Sequence, residues 1–220
     1  MKAIIIGATG LTGGKILRQL LEHPGVEEVR SFQRSDFAIN HPKLKVFKTD
    51  MRDINSLKEH ISGDVLFNAM GTTIRRAGSK KEQQRIDRDI PVAFAKVAYQ
   101  NGVKLMLNVS SIGASMTGGF YLKTKAEMEE GTSSAMNGKV IHFRPSILMG
   151  KRRASDFRLA EQISSLLMKM LSPVLMGSLS KYRGMDTDIL AKAMINTAVN
   201  SENLQKVFYY SDIVKIAEKA

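Results

Sequence analysis

The chain has 220 residues and is 43% hydrophobic, enough apolar surface for one sizeable core, so residues 1–220 are expected to form a single domain. It has no cysteine, which excludes disulfides and cysteine-based metal sites. Its first apolar run is too short for a secretory signal, and a cytoplasmic, reducing compartment fits. The formal charge of +12 suits an anionic substrate, a nucleic acid or a solvated surface, yet its two clusters lack the interleaved aromatics of a base-stacking surface. These clusters are Arg75-Arg76 with Lys80-Lys81, and Lys151-Arg152-Arg153. Nucleic acid is therefore not expected as a partner, nor is a membrane, because no stretch approaches the ~20 apolar residues of a bilayer span.

Short apolar runs alternate with longer amphipathic ones, which predicts helices covering both faces of a doubly wound parallel sheet. Ala3 to Ile6 is apolar and mostly β-branched, and Leu11 to Leu21 carries apolar residues at 16, 17, 20 and 21, giving strand, tight turn and helix. Pro24-Gly25 stops that helix, and Val26 to Gln33 leads into a second strand. Leu44 to Phe47 is a third strand, Ile54 to His60 a short helix, and Val65 to Ala69 a fourth strand. A long helix over Glu82 to Gln100, bent at Pro91, could cover its own sheet or pair with a copy of itself in a homodimer. Lys104 to Val109, a helix over Tyr121 to Glu130, and Val140 to Phe143 continue the alternation. After Pro145 the pattern becomes a small helical portion, with helices at Ser155 to Leu171 and Thr187 to Val199, so that about 146–205 would cover the substrate side. A strand at Val207 to Tyr210 and a closing helix after Asp212 complete the chain. The methionines at 168, 170 and 176 suit core packing better than a substrate pocket. No two histidines have a metal-ligand spacing, and His142, in an apolar strand, reads as a satisfied core residue.

In such a sheet ligands bind beyond the carboxyl ends of the strands. Gly7-Ala8-Thr9-Gly10-Leu11-Thr12-Gly13 stands there, between the first strand and the first helix. Gly7 lets the chain turn, Gly10 lets backbone approach a pyrophosphate, and Gly13 lets helix and strand pack closely, while the helix N-terminus offers N–H groups to the anion. This is the Rossmann-type arrangement, with Gly7, Thr9, Gly10, Leu11, Thr12 and Gly13 as cofactor contacts. Past the second strand, Arg34 would meet a ribose 2′-phosphate, so NADP(H) is favoured over NAD(H); a shift of two residues would instead bring Asp36 to the ribose. Asp50 and Met51 would lie by the adenine, and Ala69, Met70, Gly71 and Thr72 along the nicotinamide half. The basic clusters also follow strand ends, where they could attract an anionic substrate or form a solvated rim.

Tyr121 and Lys125, four apart at the start of a helix, project from one face. An ammonium beside a phenol stabilises phenolate, so such a pair can pass a proton to or from a carbonyl oxygen. They follow the strand ending Val109-Ser110-Ser111, where a serine hydroxyl could bond the same oxygen. Together these residues resemble the short-chain dehydrogenase/reductase superfamily, and within it the atypical branch that includes the Tat-interacting protein and its bacterial relatives. The blocks that carry the resemblance are Gly7 to Gly13, Gly71-Thr72-Thr73, Asp87-Arg88-Asp89, Ser110-Ser111, Tyr121-Leu122 with Lys125, and Phe143-Arg144-Pro145. The resemblance implies Tyr121 as acid/base, Lys125 on the nicotinamide ribose, and Ser111 orienting the carbonyl. It departs in two places: the serine-to-tyrosine gap is short, and Asp87 stands in the region of the superfamily's relay asparagine. The expected function is thus NADP(H)-dependent hydride transfer on a small carbonyl or alcohol. The rivals are a non-catalytic NADP(H)-binding regulatory or assembly protein with a protein partner, and a nucleotide-sugar epimerase or dehydratase.

Overall fold

Four apolar residues in a row, Ala3 to Ile6, are satisfied by a strand covered on both faces, and β1 (Lys2–Ile6) lies in that position with Ile4, Ile5 and Ile6 fully buried. In this computed structural model, which describes residues 1–35, 39–149, 183–200 and 206–219, α1 (Leu11–Glu22), β2 (Glu28–Gln33), β3 (Leu44–Lys48), a 3-10 turn (Asn55–His60) and β4 (Val65–Asn68) follow. Next come α2 (Ile74–Ala77), α3 (Lys80–Gln84), a π-helical turn (Arg85–Asp89), α4 (Ile90–Gln100), β5 (Leu105–Val109), α5 (Phe120–Ala135) and β6 (Val140–Phe143). The described elements end with β7 (Leu148–Met149), β8 (Met185–Asp186), α6 (Thr187–Val199), β9 (Val207–Phe208) and α7 (Tyr210–Glu218).

Seven strands make one parallel sheet in the order β3-β2-β1-β4-β5-β6-β9, and β7 and β8 pair separately. One face carries Ile5, Phe67, Leu107 and Phe143 against α1, α6 and α7. The other carries Ile4, Ile6, Leu66 and Met106 against Ile90, Phe94 and Ala98 of α4. This is the expected Rossmann-type doubly wound sheet, and α4 covers its own sheet. The expected helix over Ser155 to Leu171, the methionines at 168, 170 and 176, the Lys151-Arg152-Arg153 cluster and Asp36 lie outside the described residues.

Three departures have local causes. The long helix begins at Lys80, where Ser79 caps it by accepting from the Glu82 N–H at 3.1 Å, and it carries a π-turn before Pro91 in place of a simple bend. There the Ile90 N–H bonds the Arg85 carbonyl five residues back, and Pro91 has no N–H to resume the normal ladder at once. α5 runs five residues past its expected end, through Gly131, which serves as a point of close approach and not as a stop: a Cβ there would lie 2.7 Å from Val92. The short α2 is a capped turn, opened by Thr73 and closed by Gly78 at φ +88.

Candidate functional site

The strand order reverses between β1 and β4, and the chain leaves both strands at one crevice. Gly7 turns there with φ +84, and a Cβ on it would lie 2.5 Å from the Ala69 carbonyl. A Cβ on Gly13 would lie 2.1 Å from the Gly7 oxygen, so α1 starts pressed onto the turn. Gly10 is the α1 N-cap and makes no side-chain cap bond, and no acid occupies the first turn. The cradle is thus bare backbone facing the positive end of a helix, which fits a dinucleotide pyrophosphate.

A cleft of about 260 Å³ opens from this cradle. Gly7, Thr9 and Gly10 line it from the turn, Arg34 from the end of β2, Asp50 and Met51 from the end of β3, and Ala69, Met70, Gly71 and Thr72 from the end of β4. Met51 holds a left-handed backbone at φ +57 and is buried at this wall. Thr12 and Gly13 are buried within the first turn of α1, and with Leu11 they support the cradle without lining the cleft. Of the basic cluster Arg75-Arg76 with Lys80-Lys81, Arg76 lines the cleft and the other three do not.

Sequence patterning does not name the residues of a further wall of the cleft, formed by Glu82, Arg85, Ile86 and Ile90 around the π-turn. Glu82 holds the Arg85 guanidinium at two points, 3.0 Å from Nε and 2.7 Å from Nη2. The Glu82 carboxyl is kept below its ordinary range, chiefly by Arg85 and then by the charges of Arg52 and Arg34. The only sequence signal for this wall is Pro91, which marks a disturbed helix without saying which side chains the disturbance turns inward.

At the other end of the cleft Lys125 is buried, and its ammonium donates to the carbonyls of Met70 at 3.3 Å and Val109 at 3.4 Å. A Cβ on Gly71 would sit 3.9 Å from that ammonium, so Lys125 backs onto the cleft wall. Asp87 is fully buried beneath the same loop and accepts from the Thr72 N–H at 2.8 Å. Burial pushes its carboxyl pKa upward, against the opposing pull of the Lys125 charge and the Thr72 N–H. The Ser110 hydroxyl is buried with no partner among the described residues, whereas Ser111 is half-buried and donates to the Ile112 carbonyl at 3.2 Å. Tyr121 is 42% exposed on the first turn of α5. Neither Ser111 nor Tyr121 lines the cleft.

Behind the wall runs a polar ladder across three strands. Asn68, Asn108 and His142 stand side by side in the sheet register. The Met70 N–H donates to Asn68 Oδ1 at 3.0 Å, Asn68 Nδ2 to Asn108 Oδ1 at 3.0 Å, and Asn108 Nδ2 to Thr132 Oγ1 at 2.8 Å. His142 is a satisfied core residue, as its strand position predicts, with Nε2 3.0 Å from the Ser133 hydroxyl. Among the described residues no group of three or more acidic or histidine side chains is placed to hold a metal ion. No described helix is long and apolar enough to cross a membrane.

A bare glycine cradle at the switch point of a doubly wound sheet defines the class of dinucleotide-binding α/β proteins. The chain belongs to the NAD(P)H-binding family, whose model matches residues 7–141. It is 31% identical to the Candida albicans protein FMP52, mitochondrial, over 99% of this chain and 98% of that one. It is 29% identical to the Emericella nidulans protein fmp52, mitochondrial, over 96% of each. The Bordetella bronchiseptica enzyme WbmH in complex with NAD+ superposes with a TM-score of 0.69 at 14% identity, over 94% of this chain and 73% of that one, a likeness of fold. The resemblance to the atypical short-chain dehydrogenase/reductases is borne out. The cytoplasmic location is not: both relatives are named as mitochondrial proteins, which overturns that expectation. A chain without cysteine is at home in any reducing compartment, so its composition could not separate the cytosol from a mitochondrial location.

Proposed function

We propose that the protein is an NADP(H)-dependent oxidoreductase that interconverts a small carbonyl compound and its alcohol. The observation that carries this reading is Lys125, a buried ammonium fixed by two backbone carbonyls immediately behind the cleft wall at Gly71. When bound, the nicotinamide supplies or accepts the hydride. The backbone of Gly7, Thr9 and Gly10 holds the pyrophosphate, and Arg34 provides the cation that favours the 2′-phosphorylated cofactor. Tyr121 gives the proton to the carbonyl oxygen or takes it from the alcohol, Lys125 meets the nicotinamide ribose, and Ser111 orients the oxygen. Ser111 suits that task better than Ser110, whose hydroxyl is buried. Tyr121→Phe is expected to abolish turnover across a panel of aldehydes and ketones while NADPH affinity stays nearly intact. Retained turnover would overturn the assignment.

A second reading has its own support, because Ser111 and Tyr121 stand outside the cleft lining. Under it the chain binds NADP(H) as a redox signal and passes the bound state to a protein partner. That reading expects cofactor-dependent partner capture and no turnover of any carbonyl in the panel.

A further inference from the structure

Arg85 lines the same cleft as Arg34 but comes from a different element, the first position of the π-turn. A guanidinium offers five N–H donors in a planar fork that matches carboxylates and phosphates equally well. Glu82 takes the Nε hydrogen and one Nη2 hydrogen of that fork, so that among the described residues the Nη1 side is left for a ligand. Glu82 also lines the cleft, and its carboxylate lies within the field of Arg34. Glu82 by direct bonds, and Asp50 on the facing wall by its charge, therefore engage Arg85, and a phosphate entering here would compete with Glu82 for the guanidinium.

We propose that Arg85 is a second selectivity residue for the 2′-phosphate of NADP(H), and that Glu82 is its brake, aligning the guanidinium while competing with the phosphate for it. The assignment rests on the NADP(H) reading above and adds to it a residue and an antagonist. It has a signature that a merely structural ion pair lacks. Disrupting a structural pair from either side weakens the fold and moves both cofactors in one direction. Here the two partners act in opposite senses, and on NADPH alone.

The test is a fluorescence titration of the full chain, of Arg85→Gln and of Glu82→Gln, with NADPH and NADH, and with 2′,5′-ADP and 5′-AMP as competitors. Arg85→Gln is expected to weaken NADPH about tenfold and to leave NADH within about twofold. Glu82→Gln is expected to tighten NADPH about threefold, again with NADH unchanged. The affinity for 2′,5′-ADP follows NADPH in each case, and that for 5′-AMP follows NADH. If both variants weaken both nucleotides alike, or if Arg85→Gln keeps the wild-type ratio of the two cofactors, the assignment falls and the NADP(H) reading stands. If the wild type itself binds NADPH no tighter than NADH, the cofactor preference falls, and this assignment with it. If Arg85→Gln is too unstable to titrate, Glu82→Gln decides by the sign of its effect on NADPH.

Discussion

Asn108 Nδ2 lies 3.2 Å from His142 Nδ1, and because an amide nitrogen can only donate, the imidazole must accept there and carry its proton on Nε2, towards Ser133. The proton arrangement of the whole ladder follows from that contact, through Asn108 and Asn68 to the N–H of Met70 in the cleft wall. A doubly protonated His142 would turn donor against donor at Asn108.

Burial holds the His142 pKa down at about 4, well below 6.5, with the Glu129 charge pulling it up and the Arg144 charge pushing it further down. The unfolded chain takes up this proton near 6.5 and the folded chain only near 4, so the contribution is intact above 6.5 and is lost as pH falls through that window. The loss by pH 4 is about 3 kcal/mol. Urea unfolding of the wild type and of His142→Gln at pH 7 and pH 4 measures it. An equal acid loss in the variant would show that another group is responsible.

Asp87 has the opposite sign. Its raised pKa means that the folded state keeps a proton the unfolded state has already released, so stability is full below the ordinary carboxylate value and declines as pH rises through the folded value. Above that pH the nearby Lys125 charge offsets part of the cost. Lys125→Met is therefore expected to be strongly destabilising, and Asp87→Asn to restore part of the loss, with a coupling of about 1–2 kcal/mol in a double-mutant cycle. Additive single-variant effects would refute the pairing.

Two of the cradle glycines, Gly13 and Gly10, should behave differently. Gly13→Ala forces a Cβ to 2.1 Å from a backbone oxygen and should cost at least ~3 kcal/mol or prevent folding. Gly10 has φ −82, and its Cβ would lie 3.3 Å from the Gly7 oxygen, a tight contact that a shift of a few tenths of an ångström relieves, so Gly10→Ala should cost far less than Gly13→Ala, about 1 kcal/mol. Its effect should fall on NADPH binding, weakened about tenfold or more, because the added methyl group stands where backbone meets the pyrophosphate. Thermal melts and cofactor titration of the two variants check both halves.

Arg144 grips the largely buried Glu129 carboxylate with two bonds, at 2.9 and 2.6 Å, and reaches the Tyr209 hydroxyl at 3.0 Å, so one side chain joins the end of β6 to α5 and to the start of α7. Arg144→Leu strands that carboxylate and should cost about 3 kcal/mol in urea unfolding. Adding Glu129→Gln should recover much of it. A double variant as unstable as the single one would place the cost in lost packing.

The parts legible in the sequence are those set by neighbours along the chain. Ala3 to Ile6 ends in glycine and is followed by a helical period, so β1, the cradle and α1 could be placed together, and the residues after β3 and β4 followed from them. What stayed hidden depends on partners far apart. Asn68 and Asn108 are 40 residues distant and look like isolated polar residues in apolar strands until the sheet register aligns them. Arg85 was one basic residue among 33, because whether it faces water or the cleft depends on helix phase, which composition does not encode. Ser110 and Ser111 illustrate the same limit: adjacent and identical in type, they are separated only by which side chain the end of β5 turns inward.

The π-turn at Arg85 to Asp89 is a helix that counts one residue more than its neighbours need. The widened turn absorbs that residue and holds the helical phase on either side of it, so deleting one anywhere between 85 and 89 would restore a regular helix with Glu82 and Ile90 close to their present places. What would change is the turn itself, which carries Arg85 and Ile86 into the wall. For this wall, then, the unit of inheritance is a length as well as an identity: a relative that keeps Glu82 but lacks the extra residue would present a different surface to the same nucleotide.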